Sequence, residues 1–462
     1  MSPATARRTI QEVFHSDDSV APPQSLQTTR ATELYDGLLR RFRREGKYID
    51  VSFRELVGPI PLNDYTHSIA PYPGRLLRQI PRFFLHCEQI ARPGDVVLDP
   101  FCGSGTVLVE ARAARMDSWG IDQNPYARLL SRVKTTPLNY NEALDAAQTI
   151  LRRAKRLRSG EPPDVVNIDI WYSEQVRTRL SRLRRAIFEA GYTSAITEYL
   201  LLCLVLTADK CSLRDPRIPV PVRRRDWRDI IHTQHSSAVW DCFDTISSHI
   251  GVRLSNLATL RGVTSIVLGG DACSASETYV DSLAEQIKRP SVILTSPPYG
   301  AAQKYIRSSS LALGWTGLAG VADLAELERG CVGREHLRKH EYDNLDVPDE
   351  SIALVLRELA TRDRLRAAIY AEYFRLMDRV FCNLAEVLAS GGYLILVAGS
   401  NIVAGKSLST HSFLHRLAMR YGLVTELELR DTIRGRVLLT KRASASEPLK
   451  FESVHVLRKV AE

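Results

Sequence analysis

Two short stretches of the chain combine residue types that a ligand-binding catalyst needs. The first is Asp99-Pro100-Phe101-Cys102-Gly103-Ser104-Gly105-Thr106 and the second is Ser296-Pro297-Pro298-Tyr299. In the first, an acid closes an apolar run and two glycines follow, so the backbone can approach a ligand and offer free N–H groups at a helix start. The lysine of a G-x-x-x-x-G-K-[ST] phosphate loop is missing, as is the third glycine of a dinucleotide fingerprint, so neither motif is present. Asp122 ends a second apolar run roughly twenty residues on, where an acid in a parallel α/β sheet accepts hydrogen bonds from ribose hydroxyls. Asp271, after Gly269-Gly270, is a further acceptor, suited to an adenine amino group. In the second stretch, consecutive prolines stiffen a loop that carries a hydroxyl, a carbonyl acceptor and an aromatic face. Taken singly, each stretch is also an ordinary turn, so its placement on the fold decides its meaning.

The surrounding pattern supplies that placement. Asp95 to Asp99, Ser118 to Asp122, Thr264 to Leu268, Ser291 to Leu294 and Tyr393 to Ala398 read as buried strands, and Thr106 to Met116 as a helix. Strand, glycine turn, helix and strand make one βαβ unit, which predicts an α/β fold with a doubly wound, mostly parallel Rossmann-like sheet. Thr425 to Arg430 and Glu452 to Leu457 alternate as strands do, predicting an antiparallel C-terminal end. Ala31 to Gly46, Leu76 to Ile90 and Asp349 to Leu388 read as helical. So does most of 139–261, where no parallel-sheet pattern occurs and arginines cluster, as in Arg223-Arg224-Arg225-Asp226-Trp227-Arg228. The expected organisation is an N-terminal extension (1–64), a cofactor half (65–138), a helical insertion (139–261) and a catalytic half (262–462).

With 462 residues and 44% hydrophobic content the chain can bury a large core, and a formal charge of +9 favours polyanionic partners, nucleic acid first. Eight scattered cysteines show no zinc-ligand spacing, so reduced thiols in the cytoplasm and no metal are expected. The N-terminus lacks a secretory h-region, and the longest apolar run, Tyr199 to Ala208, is too short to cross a bilayer.

The pair formed by Asp99 to Thr106 and Thr295-Ser296-Pro297-Pro298-Tyr299-Gly300 resembles motifs I and IV of the amino-directed DNA methyltransferases, over about Thr66 to Arg458. The resemblance implies S-adenosylmethionine as cofactor, with its methionine part at Asp99, Pro100, Phe101, Gly103, Gly105 and Thr106, and its ribose at Asp122. Tyr65 to Leu76 is similar to the family's motif X, which implies contacts from Thr66 and Pro73. It also implies that Ser296, Pro297, Pro298 and Tyr299 hold the exocyclic amine of a base flipped out of double-stranded DNA. That amine is a poor nucleophile because its lone pair is delocalised into the ring. Acceptors on its hydrogens favour the tetrahedral nitrogen needed for direct in-line attack. No cysteine nucleophile is required, so Cys102 and Cys273 are expected to be structural.

Serine at Ser296 is more similar to the cytosine-N4 branch than to the adenine-N6 branch of the family. The remaining readings are an RNA guanine-N2 methyltransferase and an inactive nucleic-acid-binding subunit. Lys304, Arg307, Arg434 and Arg436, with Arg224 and Trp227 of the insertion, are the DNA-contact candidates; Arg430 is another phosphate candidate. Here the cofactor motif precedes the catalytic one, the reverse of the permuted order in many N4 enzymes, so a recognition region does not transfer by position. Partner classes left open are a cognate restriction endonuclease and a second copy of the chain.

Overall fold

The structure, a computed structural model, describes residues 27–61, 64–233, 237–260, 262–277, 288–300, 304–432 and 451–460. Arg434 and Arg436 lie outside the described residues. Ten strands are present among them: β1 (Ile49–Val51), β2 (Val96–Asp99), β3 (Asp117–Asp122), β4 (Ser265–Gly269), β5 (Val292–Thr295), β6 (Tyr393–Ala398), β7 (Asn401–Val403), β8 (Lys406–Leu408), β9 (Leu423–Thr432) and β10 (Phe451–Lys459). Eight form one sheet in the order β1-β9-β10-β6-β5-β2-β3-β4, while β7 and β8 pair separately. Strand β10 runs antiparallel to β6 and β9, and every other pairing in the large sheet is parallel.

Burial on both faces explains the central strands. Val96 and Leu98 of β2 point into one core with Trp119, Ile293 and Phe374, whereas Val97 points into the other with Phe83, Val292 and Leu294. A strand covered on both sides loses the polar alternation of a surface strand and becomes a continuous apolar run, as Val96-Val97-Leu98 is. The helix Arg364–Val387 covers one face; the helices Thr28–Glu45, Gln79–Leu85 and Thr106–Ala113 cover the other.

Three expectations change in detail. Within 1–64, β1 pairs in parallel with β9, and Phe53 N–H donates to Asp431 (3.0 Å), so part of that stretch belongs to the sheet. The helix expected over Leu76 to Ile90 is regular only from Gln79 to Leu85, because the chain turns at His86 while still burying Cys87 and Ile90. The helix opened by the glycine loop stops at Ala113, where Arg115 takes a positive φ of 60° before β3.

Between β3 and β4 the described residues form helices, among them Pro125–Thr135, Tyr140–Arg156, Glu174–Phe188, Ser194–Lys210 and Ala238–Asn256. Asn124 and Asn139 cap the first two of these by accepting backbone N–H groups. Their apolar faces share a third core with Leu313 and Trp315 of the helix Tyr305–Thr316. The helical region is thereby packed on the element that follows Ser296 to Tyr299.

Candidate active site

The strand order reverses between β2 and β5: from β2 the sheet runs outward through β3 and β4, and from β5 outward through β6. Ligands of open α/β sheets bind at the carboxyl ends of the strands at such a switch point. Asp99 is the last residue of β2 and Thr295 the last of β5, and the Thr295 hydroxyl donates to Asp99 Oδ1 at 2.7 Å. The glycine loop and the Ser-Pro-Pro-Tyr loop are thus fastened together at their bases.

The glycine loop is held from several sides. Asp122 Oδ2 accepts from Gly103 N–H and its Oδ1 from Asn124 N–H, both at 2.8 Å, and Phe101 N–H donates to Asp99 (3.1 Å). Gly103 and Gly105 have φ of 48° and 76°, conformations that L side chains rarely adopt. A Cβ on Gly105 would stand 2.9 Å from Ser131 Oγ, and one on Gly103 3.3 Å from the Tyr72 ring. Burial raises the Asp99 carboxyl to about 7, against the hydrogen bonds from Thr295 and Phe101; burial likewise raises Asp122 to about 6.

Two cavities meet over this loop. One, of about 650 Å³, is lined by Tyr72, Phe101, Gly103, Asp122, Gln123, Asp271, Ser296, Pro298 and Tyr305 among others. The other, of about 330 Å³, is lined by Asp99, Gly103, Ser104, Thr106, Arg75 and again Ser296 and Tyr72. Together they fit an extended ligand with a ribose and an amino-acid end. The first offers the Asp122 and Asp271 carboxylates, and the second holds the Ser104 hydroxyl, which is buried without a hydrogen-bond partner among the described residues.

Most sequence candidates converge here. Asp99, Pro100, Phe101, Gly103, Thr106, Asp122, Asp271, Ser296 and Pro298 line the two cavities, while Gly105 shapes the turn beneath them. Tyr299 instead reaches sideways, its hydroxyl donating to Glu452 Oε1 of β10 (2.9 Å), and Pro297 is buried behind the loop. Thr66 is also elsewhere: its hydroxyl is buried and donates to the Lys134 carbonyl at 2.7 Å, and it lines neither cavity. Pro73 faces a different pocket, described below. From the same segment Tyr72 and Gly74 line the cleft, and the Tyr72 and Tyr305 rings stack at 6.5 Å. Tyr72 is not marked out by the sequence, since the turn signal of Pro71 to Gly74 locates the segment without saying which side chain turns inward. Gln123 and Asn124 were overlooked beside the more conspicuous acid.

The basic candidates stand apart. Lys304 pairs with Glu335 (3.1 Å), Arg224 grips Asp226 through two bonds (2.7 and 2.9 Å), and Arg307 is exposed. Trp227 is half-buried between the guanidinium groups of Arg223 and Arg228, at 4.3 and 5.1 Å. Arg430 stacks over Phe451 at 4.4 Å. Toward the β9 edge, His415, Glu428 and His455 bring one ligand atom each within 4.8 Å of one another. The His415 and His455 rings stack nearly parallel at 4.5 Å, so their in-plane lone pairs do not converge on a common point, and Glu428 is engaged by His455 Nδ1 at 3.0 Å.

A sheet whose order reverses between β2 and β5, with β10 antiparallel between β6 and β9, a glycine loop after β2 and an acid ending β3 form the frame of an S-adenosylmethionine-dependent methyltransferase. Residues 70–132 match the family model described as DNA methylase. The Type II methyltransferase M.MvaI of Kocuria varians is 21% identical over 384 residues, spanning 78% of this chain and 82% of that protein. The Type II methyltransferase M.MjaII of Methanocaldococcus jannaschii is 26% identical over 163 residues, 33% of this chain and 30% of that one. Among solved structures, the rRNA methyltransferase aviRa of Streptomyces viridochromogenes aligns over 88% of this chain and 97% of its own, with 12% identity and a TM-score of 0.32. Residues 70–132 thus carry the DNA methylase signature of the N6-adenine and N4-cytosine type, and over most of its length the chain is similar to a Type II methyltransferase. No helix among the described residues is long and apolar enough to cross a membrane.

Proposed function

We propose that the protein methylates the exocyclic N4 amine of cytosine in double-stranded DNA, by direct in-line transfer to a base flipped into the cleft. The observation that carries this reading is the position of Ser296, which lines both cavities at the place where they meet. The cofactor, when bound, supplies an electrophilic methyl group. Asp122 and Asp271, which line one cavity, would hold its nucleoside, and Asp99, Ser104 and Thr106, which line the other, its amino-acid end, with Ser296 common to both. The Ser296 hydroxyl and the Pro297 carbonyl accept the two amine hydrogens and hold the nitrogen lone pair toward that point. Loop stiffness keeps the acceptors in place: two prolines fix φ, the Tyr370 hydroxyl donates to the Gly300 carbonyl (2.8 Å), and Glu452 takes the Tyr299 hydroxyl.

Serine rather than an acidic or amide residue before Pro297 favours cytosine, because a hydroxyl both accepts from the amine and donates to the ring nitrogen beside it. Phe101 and Pro298 supply apolar surface for an unstacked base. Lys304, Arg307, Arg224 and Trp227 are assigned to the DNA backbone and the insertion to target recognition; the likeness to proteins named Type II methyltransferases supports a restriction-modification role in the cytoplasm. The deciding experiment incubates the protein with labelled S-adenosylmethionine and plasmid DNA or tRNA, then identifies the methylated nucleoside by mass spectrometry. N4-methylcytosine is expected; N6-methyladenine, or transfer to tRNA alone, overturns the assignment.

A further inference from the structure

Beside the cofactor cleft lies a larger pocket of about 1140 Å³ that the reaction as described does not use. Its walls come from three parts of the chain: Pro71 to Arg75, the helical region (Tyr126, Tyr172, Leu206, Arg214, Arg217) and the helix Tyr305–Thr316 (Leu311, Ala312, Trp315). Tyr72 lines this pocket and both cofactor cavities, so one ring separates them. The floor is aromatic and rigid. Tyr172 and Trp315 meet edge to face at 5.5 Å, and Trp315 Nε1–H donates to the Tyr172 hydroxyl (2.9 Å). The rim is cationic, with Arg214 balanced by Asp209 (2.6 Å) and Arg217 by Asp215 (2.6 Å). Arg75 is the surplus charge: its guanidinium donates to the His67 carbonyl (3.0 Å) and, among the described residues, pairs with no carboxylate.

A partly exposed ring, Tyr72, backed by the buried Tyr172 and Trp315 and set under a positive rim, offers what proteins use to hold single nucleotides: a face for the base and a cation for the phosphate. We propose that this pocket receives a second unstacked nucleotide of the DNA, the neighbour in the strand of the base at Ser296. The inference rests on the DNA-methyltransferase reading above and gives the helical region a task in it, that of building the outer wall of a two-nucleotide site. A neighbour drawn out of the stack lowers the cost of extracting the target, because one stacking face of the target is already lost.

The test fills the pocket. Ala312→Trp places an indole where the base would lie. The KM for plasmid DNA should rise about tenfold, the lower part of what one base–aromatic stack contributes, with S-adenosylmethionine affinity unchanged by calorimetry. Should that variant fail to fold by circular dichroism, Arg217→Glu decides instead: its exposed rim charge is reversed, and affinity for a short fluorescein-labelled duplex of mixed sequence should fall about tenfold at low salt. An unchanged KM in folded Ala312→Trp, or unchanged duplex affinity in Arg217→Glu where that variant decides, overturns the pocket. Wild-type transfer to DNA is measured in parallel, so a failure of the parent reading appears in the wild type and a failure of the pocket only in the variants.

Discussion

The two halves of the cleft are built to different standards of closure. On the cofactor side almost every polar group is engaged before any ligand arrives: Asp122 is clasped by two backbone N–H groups, Asp99 by Thr295 and Phe101, and the turn residues by their own φ angles. On the substrate side Ser296 stands at an open junction, and the Tyr299 hydroxyl is bonded away from it, to Glu452. A small ligand of constant shape rewards a preformed cradle, whereas a base that must leave its helix and return needs a mouth left open. The difference assigns binding energy to one side and turnover to the other.

Substitutions on the two sides should therefore fail in different ways. The largest effect is expected from Ser296→Ala, with kcat lower by about 10²–10³, as for loss of one preorganised transition-state partner, and S-adenosylmethionine affinity within twofold; single-turnover kinetics and calorimetry read the two separately. Gly105→Ala should do the reverse. Its Cβ strains a φ of 76° and meets Ser131 Oγ at 2.9 Å, so cofactor affinity should fall at least about tenfold, for about 1–3 kcal/mol of backbone strain, seen by equilibrium dialysis.

Acidity should also separate cofactor affinity from fold stability. Asp99 and Asp122 are raised to about 7 and 6, above their ordinary values. Their contribution to stability of the free protein is therefore fully present below the unfolded carboxylate value and is lost as pH rises through 6 to 7. Cofactor affinity should move oppositely, weakening as pH falls through the same window, because a protonated acid accepts fewer hydrogen bonds. Thermal melts and calorimetry across that range check both slopes. Smallest is Thr66→Ala, which removes a hydroxyl bonded to the Lys134 carbonyl and should cost about 1 kcal/mol of stability without altering cofactor affinity. A changed affinity would return Thr66 to the cofactor site.

What could be read from sequence alone follows the same division. The backbone-defined features were legible: Asp99, Gly103, Gly105 and Asp122 are dictated by strand ends and positive φ, which leave strong local signals. Tyr72 and Gln123 were not, because their inward direction depends on packing between segments far apart in sequence. Thr66 illustrates the converse. Its place in the segment similar to motif X implied a ligand contact, yet the buried Lys134 carbonyl claims its hydroxyl. Strand β1 was overlooked for a further reason, since three residues are too few for a periodic signal and its partner lies near the other end of the chain.

That pairing bears on how the molecule comes into being. Phe53 and Asp431 are bonded across 378 residues, and the Tyr35 hydroxyl reaches Glu426 across 391. On a ribosome, the amino-terminal helix and β1 emerge long before β9 exists to receive them. Their apolar side must wait, solvated or in the keeping of a chaperone, until β9 itself has been synthesised. Docking of this segment is then a late event in folding, and an interrupted translation product would carry an assembled cofactor cradle beside an unsealed sheet margin.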